Sequence, residues 1–115
     1  MSEQLALDYA GHLEREQPYR AEVYRLKNDH DRAMADCDAA LKVAPYYARA
    51  WYLRGLLHAA NQDQAAAIAD YSQAIQRDPR YASAYNARGW AQRQKKDFGQ
   101  AIADFTADRK STRLN

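Results

Sequence analysis

The sequence predicts an all-α protein built from helical hairpins, and three observations carry that prediction. Residues recur at an offset of 34 positions, each unit contains two apolar stripes at helical spacing, and the units are separated by prolines and short polar turns. At that offset Pro45 aligns with Pro79, Gly55 with Gly89 and Asp63 with Asp97. Ala48, Ala50, Arg54, Ala67, Ile68, Ala69 and Asp70 return as Ala82, Ala84, Arg88, Ala101, Ile102, Ala103 and Asp104, while Tyr71 returns as Phe105. One step upstream, Arg20, Asp29, Ala33, Ala35, Asp36, Ala40 and Pro45 occupy the same phases.

Taken in order, residues 1–17 predict a single helix, with Ser2 as its cap and Leu5, Tyr9 and His12 or Leu13 on one stripe. Its Asp8-Tyr9 pair matches Asp70-Tyr71, which leaves two readings: the back half of an upstream repeat, making Met1 internal to a longer gene, or a dedicated cap. The first full unit is 14–47 and the second 48–81. In the second, Trp51, Gly55 and His58 fall at i, i+4 and i+7, and Ala67, Tyr71 and Ala74 repeat that spacing after the Asn61-Gln62-Asp63 break. Small residues at Gly55 and Ala67 let the two helices approach beside the Tyr71 ring, and Pro79 ends the second helix. Asp29, Asp63 and Asp97 each stand where a second helix opens, as carboxylates that accept an orphan backbone N–H. The third unit, 82–107, stops early, and its small-residue and apolar phases are then filled by Asp108 and Arg109. Residues 108–115 equal the translation of GAT CGG AAG AGC ACA CGT CTG AAC, codons that resemble a sequencing-library adapter, so this tail is expected to be non-native.

Trp51, Gly55, Ala67, Tyr71, Ala74 and Pro79 together resemble the tetratricopeptide repeat signature, whose period is also 34 residues. The resemblance covers about residues 14–107, with Arg54 where a Leu is usual, and Gln17, Ala21 and Cys37 in the Trp, Gly and aromatic phases of the first unit. It implies a right-handed α–α superhelix, a solenoid of stacked hairpins whose first helices line a concave groove.

Composition narrows the function. The chain has 115 residues, 47% hydrophobic and 28% charged, and its longest stretch without Asp, Glu, Lys or Arg runs only from Gly55 to Gln62. A membrane-spanning helix needs about 20 apolar residues, so no span is expected. The first residues show no basic start followed by an apolar block, which favours a cytoplasmic location unless the N-terminus is truncated. Setting aside Arg109, Lys110 and Arg113 against Asp108 leaves 14 basic and 14 acidic residues, so the basic stripe that nucleic acid would need is missing. The single Cys37 and the scattered His12, His30 and His58 match no metal-ligand spacing, and the glycines at 11, 55, 89 and 99 form no phosphate loop. No cofactor, metal or catalytic residue is expected. Cys37 reads as a packed thiol and His58 as a partly buried packing residue.

Two charged phases recur in all three units: Arg20, Arg54 and Arg88, and, 16 residues later, Asp36, Asp70 and Asp104. Both flank the packing stripes by about 60°, which predicts a structural ion-pair ladder. Spacing leaves open whether Asp70 meets Arg54 or Arg88. By the resemblance, the groove phases carry Tyr19, Glu22, Arg25 and Leu26, then Arg49, Tyr52, Leu53, Leu56 and Ala59, then Asn86, Trp90, Arg93 and Gln94. Some members of the family hold a peptide's terminal carboxylate there with Lys and Asn. The corresponding phases here carry Pro18, Glu22, Leu53, Ser83 and Ala87, which favours a hydrophobic or mixed ligand, with Glu22 opposing an acidic tail. The expected function is a non-catalytic scaffold that binds a protein or peptide in the groove. The alternative is a structural spacer or an accessory segment of a larger enzyme or signalling protein. The uncapped C-terminal end, where the second helix is expected to end near Ala107 and to leave Ala91, Phe98, Ile102 and Phe105 short of cover, is a candidate surface for self-association.

Overall fold

A computed structural model describes residues 19–113, although not the side chain of Arg113. The helix expected over residues 1–17, and the last two residues of the tail, lie outside the described residues. Among the described residues six helices follow one another: α1 over 19–26, α2 His30–Val43, α3 Ala48–Ala60, α4 Gln64–Arg77, α5 Ala82–Gln94 and α6 Phe98–Arg113. Each packs on its neighbour in sequence from α2 to α6, and α3 also touches α5. The result is a stack measuring 51 × 32 × 19 Å. Its radius of gyration is 15.0 Å, against about 13 Å for a closed globule of roughly 100 residues.

Identical turns set the angle inside each hairpin. Asn28, Gln62 and Lys96, spaced at the repeat period, all have positive φ near 65°. After α3, the Gln62 N–H donates to Ala59 O (3.0 Å) and the Asp63 N–H to His58 O (2.9 Å), a Schellman pair that satisfies the last carbonyls of the helix. Asp63 then caps α4 by accepting from the Ala66 N–H at 3.1 Å, as Asp29 accepts from Arg32 and Asp97 from Gln100. Between hairpins the chain turns at the prolines. Trp51 Nε1–H donates to Pro45 O (2.8 Å), and Tyr85, in the same phase, donates its hydroxyl to Pro79 O (3.0 Å).

Within each hairpin a small residue faces a larger one. A Cβ on Gly55 would lie 2.5 Å from Tyr71 Cε1, and one on Gly89 would lie 2.8 Å from Phe105 Cε1. In the first unit Ala21 and Cys37 fill these phases and are both buried. A slightly larger residue meets a much smaller one, so the seam stays filled.

The arginine–aspartate pairs close each hairpin beside that seam. Asp70 meets Arg54 of its own unit: Arg54 Nε and Nη2 donate to its two carboxylate oxygens at 2.9 and 3.0 Å. Arg88 grips Asp104 at 2.8 and 2.8 Å, and Arg20 grips Asp36 at 2.8 and 2.7 Å. The third nitrogen of the fork reaches the preceding hairpin, with Arg54 Nη1 on Asp38 (3.0 Å) and Arg88 Nη1 on the Ser72 hydroxyl (3.1 Å). His58 and Gln92 occupy one phase and join the network. His58 Nε2 lies 3.5 Å from Asp70 Oδ2, and the Gln92 amide, oriented to donate, lies 2.7 Å from Asp104 Oδ2.

Two expectations for the last hairpin need correction. The second helix does not end near Ala107, where the repeat phases fail, but continues to Arg113. Ala107, Arg109 and Lys110 are good helix formers, Asn86 Nδ2 donates to Asp108 at 3.3 Å, and the Thr112 hydroxyl bonds back to Arg109 O. Ala91 and Phe105 are also better covered than expected. Ala91 is buried against Ala67 and Tyr71, and the Phe105 ring meets Trp90 edge-on with centroids 5.5 Å apart. Phe98 and Ile102 remain 57% and 66% exposed.

Gly55→Ala is expected to lower the melting temperature, because the buried Tyr71 ring has nowhere to move and overpacking costs about 1–3 kcal/mol. Gly89→Ala should cost less, since Phe105 is only half-buried, and Gly99→Ala, with open space around it, should cost nothing. Thermal melts of the three variants check the order. Breaking the second pair with Asp70→Ala should cost about 3 kcal/mol, leaving Arg54 one carboxylate fewer at a mostly buried site. Arg20→Ala should also destabilise the chain, by about 1–3 kcal/mol in denaturant titration, because it leaves the buried Asp36 carboxylate without its two-pronged partner.

Candidate functional site

With one face of α3 and α5 consumed by the hairpin seams, their opposite faces line a cavity of about 560 Å³. Tyr52, Leu56 and Ala59 come from α3, and Asn86, Ala87, Trp90, Ala91 and Gln94 from α5. Tyr71 of α4 and Asp108 and Thr112 of α6 also line it. Tyr52 anchors the α3 wall, its ring 6.0 Å from that of Tyr71 and 5.2 Å from that of Tyr81. Burial raises the phenol pKa of Tyr52, and pushes that of Tyr81 up to about 12, so both hydroxyls are neutral donors at physiological pH. Trp90 is half exposed, with the Arg93 guanidinium 5.2 Å from its ring centroid.

The structure brings Tyr52, Leu56, Asn86 and Trp90 to this one cavity. Tyr19, Glu22 and Arg49 form a second, polar group nearer the N-terminal end. Arg49 Nη2 bonds to Glu22, Arg25 Nη2 lies 3.6 Å from Glu22, and the Arg49 guanidinium stands 5.4 Å from the Tyr19 ring centroid. The two groups meet at Tyr52, whose phenol feels the charges of Glu22, Arg25 and Arg49. Glu22 therefore does not present a free negative charge to a ligand, as its sequence position suggests.

Leu53 is not a groove residue. It is 2% exposed and packs with Leu57, Ala21, Ala33 and Cys37 in the core between the first and second hairpins. Ala50, Leu53 and Leu57 follow an i, i+3, i+7 course along α3, an apolar stripe that a helical wheel shows without any family assumption. Ser83 and Ala87, in phases that the resemblance marks as part of the groove, line the cavity, and so do Gln64, Asp108 and Thr112, which were not expected there. Gln64, Asp108 and Thr112 lie outside the first helices, on α4 and α6, and carry no sequence signal of that role.

The reactive-looking groups are placed for packing. Cys37 is fully buried, and desolvation pushes its thiol up to about 12, far from the thiolate that nucleophilic chemistry needs. The guanidinium pKa values of Arg54 and Arg88 are raised chiefly by their hydrogen bonds to Asp70 and Asp104, which fixes them as permanent cations in the ladder. Among the described residues, no three His, Cys, Asp or Glu side chains converge to hold a metal ion. No described helix is long and apolar enough to cross a membrane.

Solved structures resemble this architecture closely. The TPR2B domain of yeast Sti1, in its complex with pHsp70, superposes with a TM-score of 0.82 at 28% identity over 87% of this chain and 80% of that one. The first TPR domain of human RPAP3 gives 0.84 at 19% identity, covering 90% and 82% of the two chains. MamA gives 0.76 at 22% identity over 81% of this chain, which spans about half (54%) of the MamA chain. No curated protein matches the sequence significantly. Models of the tetratricopeptide repeat match residues 20–47, 48–81 and 82–107, so that the matched segments adjoin and cover most of the sequence. By these matches, and by a fold in which each segment is one helical hairpin, the chain belongs to the tetratricopeptide repeat family.

Proposed function

We propose that this protein is a non-catalytic interaction scaffold that binds a peptide or a helix of another protein along the α3/α5 face. The observation that carries this reading is the cavity itself. An aromatic and aliphatic hollow of about 560 Å³ is open on helices whose other faces are already packed. Its size suits one large apolar side chain and its neighbours. Trp90, half exposed and flanked by Arg93, has the residue types that dominate binding hot spots. The Sti1 domain, a structural neighbour in complex with pHsp70, supports the class of function without naming a partner for this chain.

A spacer or accessory role would leave this face without a ligand. To separate the two readings, peptides selected from a random display library should bind the wild-type chain. They should lose about tenfold in affinity against Trp90→Ala, the effect of truncating one hot-spot residue. Phe98→Ser, equally exposed but outside the cavity, should leave binding unchanged. Failure to select any peptide, or equal loss in both variants, contradicts the proposal.

The uncovered face of α6 supports a second reading, self-association of the chain. Ile68 on α4 packs against a cluster that includes Ala87 and Ala91 of α5, whereas Ile102, one repeat later, is 66% exposed next to exposed Phe98. Sedimentation equilibrium should show concentration-dependent dimerisation that Ile102→Ser with Phe98→Ser abolishes. A wild-type chain that stays monomeric at high micromolar concentration would end this reading.

A further inference from the structure

The two arginines at the N-terminal end of the groove are bonded unlike Arg20, Arg54, Arg77 and Arg88. Arg20, Arg54 and Arg88 each turn the Nε–Nη2 edge onto both oxygens of an aspartate, and Arg77 donates its Nε–H to Pro45 O. Arg25 and Arg49 have no such partner. The Nε of each is buried and without an acceptor among the described residues, while their Nη2 atoms converge on the single carboxylate of Glu22. An unmatched buried donor on a charged group is costly, and here two occur side by side. Two cations facing one anion also leave one positive charge in excess, with the Arg49 guanidinium 5.4 Å from the Tyr19 ring centroid and both side chains only about a third exposed.

We propose that Arg25 and Arg49 form an anion subsite that takes one acidic side chain of the same ligand whose apolar residue fills the Tyr52–Trp90 cavity. The inference rests on the groove reading given above and specifies its ligand. A modest rotation of either guanidinium presents its Nε–Nη2 edge to the groove, giving the ligand carboxylate the two-pronged contact that Arg54 gives Asp70. Glu22 sets the selectivity. It neutralises one of the two cations, so the subsite accepts a single negative charge and opposes a run of acids or a doubly charged phosphate. The spacing follows from the helix. Arg49 precedes Leu56 by seven residues, about 10 Å along α3 at a rise of roughly 1.5 Å per residue. An extended ligand spans that distance in about three residues and a helical one in about seven.

The probe is a random 12-residue peptide display library panned on the full chain. Selected peptides should carry one Asp or Glu at a fixed distance from a large apolar residue, three positions for an extended ligand or seven for a helix. Changing that acid to its amide in the synthetic peptide should weaken binding to the wild-type chain roughly tenfold at low salt, and less as salt rises. The same change should alter affinity less than twofold for a chain carrying Arg25→Gln and Arg49→Gln, whose fold is checked by its circular dichroism melt. The acid-to-amide comparison on the wild-type chain stands alone if the double variant does not fold. Peptides that bind in a Trp90-dependent manner but show no acidic preference overturn this inference and leave the groove reading intact. Peptides that bind independently of Trp90, or no selection at all, overturn both.

Discussion

The structure depends on how closely the two helices of each hairpin approach. At Gly55 the gap to the Tyr71 ring is too small for even a methyl group, and at Gly89 the Phe105 ring fills the same space. This contact fixes which face of α3 and α5 is spent on the hairpin, and the remaining features follow from that choice. The Schellman turns at Asn28, Gln62 and Lys96 hold the helices at the angle the contact needs, and they do so with residues other than glycine in a left-handed conformation. The arginine forks lie along the edge of the seam. They bind across their own hairpin with Nε and Nη2, and Arg54 and Arg88 reach the previous hairpin with Nη1. One side chain therefore sets both the geometry within a repeat and the registry between repeats.

Spending one face on the seam leaves the other available. In a globular helical protein a third layer would cover Tyr52, Leu56 and Trp90, because an apolar helix face normally finds a packed partner. In a stack of hairpins each unit touches only its neighbours, so the cavity-lining faces of α3 and α5 align with no third layer over them among the described residues. The same logic leaves Phe98 and Ile102 exposed at the last hairpin. The two surfaces differ in shape. The α3/α5 face is a hollow with a polar group at one end, whereas the α6 face carries two adjacent apolar side chains.

Features that repeat were legible in the sequence, because three copies of one phase expose a physical requirement. The caps at Asp29, Asp63 and Asp97, the Gly55/Tyr71 seam and the arginine and aspartate phases belong to this class. Even Ala21 opposite Cys37, a departure from the signature, makes sense once the two are read as a compensated pair. Features that do not repeat were harder to see. Arg49 meets Glu22 across 27 residues, and the positions one repeat later are Ser83 and Leu56, so no periodicity marks the contact. Leu53 was misplaced because its role was carried over from a family phase, while its own stripe with Ala50 and Leu57 pointed inward. The continuation of α6 was missed for a related reason. Repeat phase reports what a side chain packs against, whereas the helix persists to Arg113 through local propensity. Residues that specify a ligand are expected among the non-repeating positions, since scaffold positions are the ones that must be the same in every unit.

The proposed ligand contacts are on the faces of α3 and α5 that the seams leave free, and amide NMR shift mapping with a display-selected peptide locates them. The largest changes should fall on Leu56, Asn86 and Trp90, with Gln73 and Arg77 on α4 unaffected. Shifts centred on α4, with the concave positions silent, would contradict this placement.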